Sequence, residues 1–339
     1  MSLEFRHIAH GYGEVQALRD ISFVAPTGEI TCLLGSSGCG KSTLLNLAAG
    51  LLDVQEGSIW LDGELLAQRG SVPPPEKRPV GLVFQEGALF PHMTIAQNVA
   101  FGLKREGKGA AEGWLEQVGL VGLGARYPHE LSGGQQQRAA LARAIAPGPR
   151  VMLMDEPFAS VDIVLRRRLR RDCRVLLRER GATSVVVTHD PEEAIDIADR
   201  VAVMESGRIV QIGTPTQLRE DPASASIGAI FGNAQVVRAR RMEAGFATAF
   251  GEWPLSVVAG PVPEGDTLEL LVDAERLECV ASPEGSTVRD LHSRGRRTRV
   301  LLRAPDGTEI IALVSEGPEP GARYKAVPMA GSVRAFAAE

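Results

Sequence analysis

Along the first fifty residues, apolar and polar positions alternate, run together, then alternate at a longer period. Leu3, Phe5 and Ile8 alternate with polar neighbours, with a break at His7, and predict a strand over 3–8. Gly11-Tyr12-Gly13 predicts a turn, and Leu18 to Val24 a second strand closed by Pro26-Thr27-Gly28. Ile30-Thr31-Cys32-Leu33-Leu34 is nearly continuous and short, as in a strand covered on both faces. A glycine-rich loop follows, then Leu44 to Ala49, a helix ended by Gly50. Val80–Phe84 reads as a further strand, and Val151–Met154 and Ser184–Val187 as further buried strands. Residues 94–145 pattern as mainly helical, with glycine breaks at 107–113 and 119–124. Val201–Met204 and Arg208–Val210 flank Glu205-Ser206-Gly207 and predict a hairpin.

Beyond about residue 233 the helical period fades. Short alternating segments at 268–272, 298–302, 309–314 and 324–327 are separated by glycine and proline. They predict a small β-domain over 233–339 behind an α/β domain over 1–232, and 339 residues suit two cores. A net charge of -5 and few aromatics disfavour a nucleic-acid binder. No apolar run is long enough to span a bilayer. Cys32, Cys39, Cys173 and Cys279 form no metal-ligand spacing and fit a reducing, cytoplasmic compartment.

Residues 35–42 read Gly35-Ser36-Ser37-Gly38-Cys39-Gly40-Lys41-Ser42, between the buried strand and the helix. This is the phosphate-cradling G-x-x-x-x-G-K-[ST] pattern in the context it needs. Glycines let successive backbone N–H groups converge on a polyphosphate, and the helix N-terminus adds positive potential. Lys41 is placed to reach the β- and γ-phosphates and Ser42 to bind Mg²⁺. The strand Val151–Met154 ends in Asp155-Glu156. In a P-loop protein, the first acid stands near the Mg²⁺ and the second polarises water for attack on the γ-phosphorus.

Leu131-Ser132-Gly133-Gly134-Gln135-Gln136-Gln137-Arg138 opens a helix between these two sites and resembles the signature of ABC-transporter ATPases. The resemblance covers residues 3–232 densely. It implies a P-loop NTPase fold: a RecA-like core with an antiparallel β subdomain and a helical subdomain inserted at about 86–145. A small all-β, OB- or barrel-like, regulatory or dimerisation domain follows. It also implies a head-to-tail homodimer, with each ATP between one subunit's phosphate loop and the other's signature. Residues 35–43, including Thr43, would then hold nucleotide together with Tyr12 on the adenine. Ser132, Gly133 and Gly134 would act from the partner. Gln85 resembles the glutamine linking Mg²⁺ and attacking water to the membrane part, and Asp162, in Ala159-Ser160-Val161-Asp162, the loop signalling between subunits. His189 resembles the histidine on the γ-phosphate. Catalytic roles thus fall to Glu156, His189, Gln85 and Lys41, and Mg²⁺ ligation to Ser42, Gln85 and Asp155.

The wording of residues 83–94 and Tyr127-Pro128-His129-Glu130 resembles most the ATPases of ferric-iron importers, whose relatives import sulfate, molybdate, polyamines and sugars. Two permease subunits, an external solute-binding protein and a peripheral place on the cytoplasmic face of the inner membrane are implied. A soluble ABC ATPase acting on DNA or ribosomes would need coiled-coil arms or two fused ATPase units. A nucleotide-binding regulator without turnover fits poorly with Glu156 and His189. The run Arg166-Arg167-Arg168-Leu169-Arg170-Arg171 reads as the solvated basic face of an amphipathic helix.

Overall fold

The computed structural model describes residues 2–85, 88–103, 109–159, 161, 163–232, 234–295, 297–315 and 318–338. The chain divides into two compact units, Met1–Pro215 and Thr216–Glu339.

In the first unit, β1 (Leu3–Tyr12) and β2 (Val15–Ala25) form an antiparallel hairpin, so the strand over 3–8 runs further and only Gly13-Glu14 turns. The buried strand β3 (Ile30–Leu34) leads into α1 (Lys41–Ala49). A hairpin follows, β4 (Glu56–Leu61) and β5 (Glu64–Gln68), and completes the antiparallel sheet β2-β1-β4-β5.

Next come β6 (Val80–Val83) and the helices α2 (Ile95–Ala100), α3 (Ala111–Gln117) and α4 (Gly133–Ile145). The 94–145 stretch is therefore less helical than its pattern predicts. α3 runs through Gly113, and turns and a short 3-10 segment fill 118–132. Asn98, wholly buried, ties the Phe90–Thr94 turn to α2 by accepting from Phe90 N–H and donating to three carbonyls. Apolar periodicity carries no trace of such a polar staple.

β7 (Val151–Asp155), α5 (Ile163–Glu179), β8 (Thr183–Thr188), α6 (Pro191–Ile197), β9 (Arg200–Glu205) and β10 (Arg208–Gly213) follow. They build the sheet β10-β9-β3-β8-β7-β6, parallel except for the β9–β10 hairpin. In it β3 and β8 are buried at every residue, which explains their unbroken apolar character. One cluster of buried side chains, including Phe5, Ile21, Leu33, Leu44 and Leu153, fills the space between the sheets and α1.

In the second unit α7 (Pro215–Glu220) leads to α8 (Ala225–Phe231), which is capped by Ser224 and packs on β11 (Ala234–Met242) and β14 (Thr267–Asp273). This packing moves the division upstream of the expected boundary at 232/233. Between those strands lie β12 (Gly245–Thr248) and β13 (Gly251–Pro254). β15 (Leu277–Arg294), β16 (Arg297–Arg303), β17 (Glu309–Val314), β18 (Arg323–Pro328) and β19 (Val333–Ala337) follow. They form two sheets, β13-β12-β11-β14-β19 and β17-β16-β15-β18, around one core. Trp253, 1% exposed, joins the sheets by donating to the Ala326 carbonyl at 2.8 Å. Gln235 does the same by pairing with both backbone groups of Ile311 at 2.7 Å.

Candidate functional site

The loop between β3 and α1 is set by glycines that tolerate no side chain. A Cβ on Gly35 would stand 2.2 Å from the Met204 carbonyl oxygen, and Gly40, at φ 103°, would strike the Ala17 oxygen at 2.5 Å. Lys41 is buried, with Nζ donating to the Gly35 and Ser36 carbonyls at 2.8 and 2.9 Å. The ammonium is thus held inside the loop that would surround a phosphate. Cys39 is buried behind it, its Sγ 3.7 Å from Nζ.

A cavity of about 510 Å³ opens above the loop. Ser37, Gly38, Gly40, Lys41, Ser42 and Thr43 line it, with Tyr12 on one side and Glu156 on another. Gly35, Ser36 and Cys39 do not line it. Tyr12 is half exposed, edge-on to His10, with its hydroxyl 3.4 Å from Thr43 Oγ1. A flat apolar face is therefore presented next to the loop.

The strand β7 delivers the two acids. Asp155 accepts from Ser42 Oγ at 3.1 Å. Burial pushes its carboxyl above the ordinary range, the Ser42 bond opposes this, and neighbouring Glu156 adds to it. Glu156 sits at φ 43°, a conformation rare for a side-chain-bearing residue, where the chain leaves the sheet. Its Oε1 is 2.8 Å from His189 Nδ1, at the end of β8. Ser42, Asp155, Glu156 and His189 are thereby linked in two hydrogen-bonded pairs, although they come from three separate parts of the chain.

Ser42 and Asp155 supply a hydroxyl and a carboxylate oxygen, donors that suit Mg²⁺. Among the described residues no group of three or more His, Cys, Asp or Glu is gathered that could cage a metal. The fit is therefore to an ion that takes most of its ligands from phosphate and water.

Other sequence-derived residues lie elsewhere. Gln85 is exposed in the turn after β6, and Ser132, Gly133 and Gly134 open α4; none of them lines the cavity. Ser132 caps α4, its Oγ accepting from Gln135 N–H while Gln135 Oε1 accepts from Ser132 N–H at 2.9 Å. Asp162 lies outside the described residues.

Several groups at or behind the site were not legible in the sequence. Gln16, Arg19 and Ser206 also line the cavity, because Arg19 N–H donates to the Gly207 carbonyl at 2.8 Å and brings the β9–β10 turn to β2. The arginine run is not only a solvated face. Arg167 and Arg168 are exposed, but Arg170 is 2% exposed and faces α6. Arg170 pairs with Asp190 and Asp196 and lies 3.8 Å from Glu193. Arg166 donates to the Val161 carbonyl at 2.8 Å and to that of Ala159 at 3.4 Å, and stands 3.9 Å from Asp190. Asp190 follows His189 and caps α6 by accepting from Glu192 N–H. The segments after Glu156 and after His189 are thus fastened to one helix.

A glycine-cradled loop between a buried strand and a helix, with two acids at the end of a neighbouring parallel strand, defines a P-loop NTPase. The ABC transporter family profile matches residues 18–159. The chain belongs to the ABC transporter family, as one of its ATP-binding proteins. It is 41% identical over 325 residues to the sulfate/thiosulfate import ATP-binding protein CysA 2 of Chromobacterium violaceum, covering 93% of this chain and 87% of that one. It is 42% identical over 280 residues to the Fe(3+) ions import ATP-binding protein FbpC of Mesorhizobium japonicum, covering 81% and 76%. Among solved structures it resembles the dimeric, post-hydrolysis ATP-binding cassette MJ0796 bound to ADP and Pi. That match has a TM-score of 0.55 and 28% identity, and covers 62% of this chain and 98% of the other.

Proposed function

We propose that this chain is the ATP-hydrolysing subunit of an importer, acting as a head-to-tail homodimer beneath two permease subunits that receive cargo from an external binding protein. The observation that carries this reading is the meeting of the Ser42–Asp155 and Glu156–His189 pairs at one phosphate loop. Tyr12 stacks on the adenine. The loop N–H groups and Lys41 hold the phosphates, with Lys41 exchanging its carbonyl partners for phosphate oxygens. Ser42 and Asp155, together with Gln85, would hold Mg²⁺. A Mg²⁺ held there would supply positive charge to offset that of the phosphates. Glu156 accepts the proton of the attacking water, and His189 holds that carboxylate in place and contacts the γ-phosphate.

Ser132, Gly133 and Gly134 act from the partner subunit, which agrees with their absence from the lining of the cavity in one chain. Asp162 acts across the same interface. ATP drives closure because it binds the closed dimer better than the open one. No helix among the described residues is long and apolar enough to cross a membrane. In this proposal the permeases supply the membrane attachment, at the cytoplasmic face of the inner membrane.

The cargo is ferric iron. The wording of residues 83–94 and 127–130 supports this, as does the likeness to FbpC of Mesorhizobium japonicum. Sulfate or thiosulfate is the second reading, favoured by the longer match to CysA 2 of Chromobacterium violaceum. Cells deleted for this chain and complemented with wild type are expected to regain uptake of radiolabelled ferric iron. Recovery of radiolabelled sulfate uptake instead would select the second reading.

Two substitutions test the nucleotide site directly. Lys41→Ala is expected to weaken ATP binding about 10–100-fold, by loss of a charge-assisted contact, measured by titration calorimetry. Unchanged affinity would mean the phosphates lie elsewhere. Asp155→Asn is expected to act with opposite signs on the two states. Without ligand, the neutral side chain relieves the burial and the Glu156 repulsion that raise the Asp155 pKa, so melting shifts upward. The sign follows: a raised carboxyl pKa means the native state loses stability as pH rises through it. With Mg-ATP at about 100 times its Kd, the ligand contribution of about 2.7 kcal/mol is lost. Melting curves with and without Mg-ATP separate the two effects.

A further inference from the structure

A second cavity, of about 210 Å³, lies between α3, α4 and α5 and takes no part in the nucleotide reading. Its floor is apolar: Val83, Met154, Phe158, Leu169 and Cys173 all line it and are all buried. Two polar side chains of α4 line it as well. Gln137 is 7% exposed, and its Nε2 has no hydrogen-bond acceptor among the described residues. Arg138 Nε is equally enclosed and equally without an acceptor. Among the described residues, the remainder of that guanidinium reaches the Val118 carbonyl, at 3.4 Å, and no carboxylate pairs with it. A buried amide donor and a cation thus stand side by side above an apolar floor, both calling for an acceptor.

We propose that this cavity binds a small monocarboxylate carrying one apolar ring, with the carboxylate on Gln137 and Arg138 and the ring on Val83, Met154 and Phe158. The volume sets the size. A dry cavity of about 150 Å³ holds benzene, so this one holds a single ring and a short acidic arm. Charge sets the class. A carboxylate offers acceptors to both donors and a counter-charge to Arg138. The rim sets the limit. Glu116 and Asp172 stand at it, with Arg168 3.8 Å from Asp172; their carboxylates act against every anion, least against a single carboxylate and most against polyanions such as nucleotides. The site is separate from the phosphate loop, and none of its lining residues lines the nucleotide cavity. Its walls nevertheless include β7, which leads to the nucleotide cavity, and the elements next to Gln85 and Ser132. β7 runs through Met154 to Asp155, with Glu156 next in the chain; β6 ends at Val83, two residues before Gln85; and α4 is capped by Ser132.

The test is a titration of the full chain, labelled with ¹³C in the methionine methyl groups, with phenylacetate in the presence of saturating ADP. The Met154 resonance is assigned through Met154→Leu. Phenylacetate is expected to shift the Met154 methyl saturably. Phenylacetamide, which keeps the ring and an acceptor but lacks the charge, should bind about tenfold more weakly. Arg138→Met should weaken phenylacetate by a similar factor, and Leu141→Trp, which fills the cavity, should abolish the shift. If Leu141→Trp fails to fold, Arg138→Met and the amide comparison still decide. A Met154 methyl that does not respond, equal binding of the acid and the amide, or undiminished binding by Arg138→Met would each overturn the proposal.

Discussion

Glu156→Gln is expected to bind Mg-ATP with nearly wild-type affinity and to turn it over roughly 10²–10⁴-fold more slowly. The amide keeps the size and most of the hydrogen bonding of the carboxylate, including an oxygen for His189 Nδ1. It cannot take a proton from water, and the chemical step alone suffers. The variant should therefore accumulate with ATP bound and remain a closed dimer, seen as a doubled mass by light scattering with Mg-ATP. A variant that stays monomeric with Mg-ATP bound would contradict the head-to-tail arrangement. Steady-state phosphate release near the wild-type rate would remove Glu156 from the role of base. The strained φ of 43° at this position is the second reason to expect a specific task, since the chain bears it where the two pairs meet.

Arg170→Met is expected to lower global stability by about 3 kcal/mol, a loss seen in chemical denaturation. Methionine fills much of the volume but leaves Asp190, Glu193 and Asp196 without the Arg170 guanidinium, with Arg166, 3.9 Å from Asp190, as the nearby cation that remains. The deficit should grow with pH. In the wild type, burial raises the Glu193 carboxyl to about 7 while Arg170 holds it down. A raised carboxyl contributes its stability fully below the unfolded value and loses it as pH rises through about 7. Without Arg170, ionising Glu193 costs more, so the gap between variant and wild type should be wider at about pH 8 than at about pH 5. A deficit independent of pH would mean that Glu193 is not part of the cluster's balance. Glu193→Gln should flatten the wild-type slope over the same window.

Both cases mark the division between what was legible and what was not. Gly35 to Ser42, Asp155, Glu156 and His189 could be read because each follows a strand whose unbroken apolar run betrays its burial. Parallel strands point their ends the same way, so residues just after them gather at one edge of the sheet. Arg170 could not be read. It lies in a run of arginines of which some face water and one faces three carboxylates of α6, and composition does not separate these. Arg19 and Ser206 reach the cavity through one backbone hydrogen bond across most of the unit, and no local pattern carries that. The helical stretch over 94–145 was overread, because apolar residues spaced for a helix also serve turns pinned by buried Asn98.

The glycine-rich loop before α1, the acids at the end of β7, the ABC-family resemblance and the α/β-then-β order of the chain were all legible in the sequence. Those follow from short-range geometry: strand, loop, helix and their capping residues. It took the packed fold to show which arginines are buried, where the compact units divide, and that Gln137 Nε2 and Arg138 Nε find no acceptor among the described residues beside a second cavity. The physical reason is the same in each case. Backbone propensity and period act over a few residues, whereas burial of a charge or a cavity's lining is fixed by side chains that arrive from remote parts of the chain.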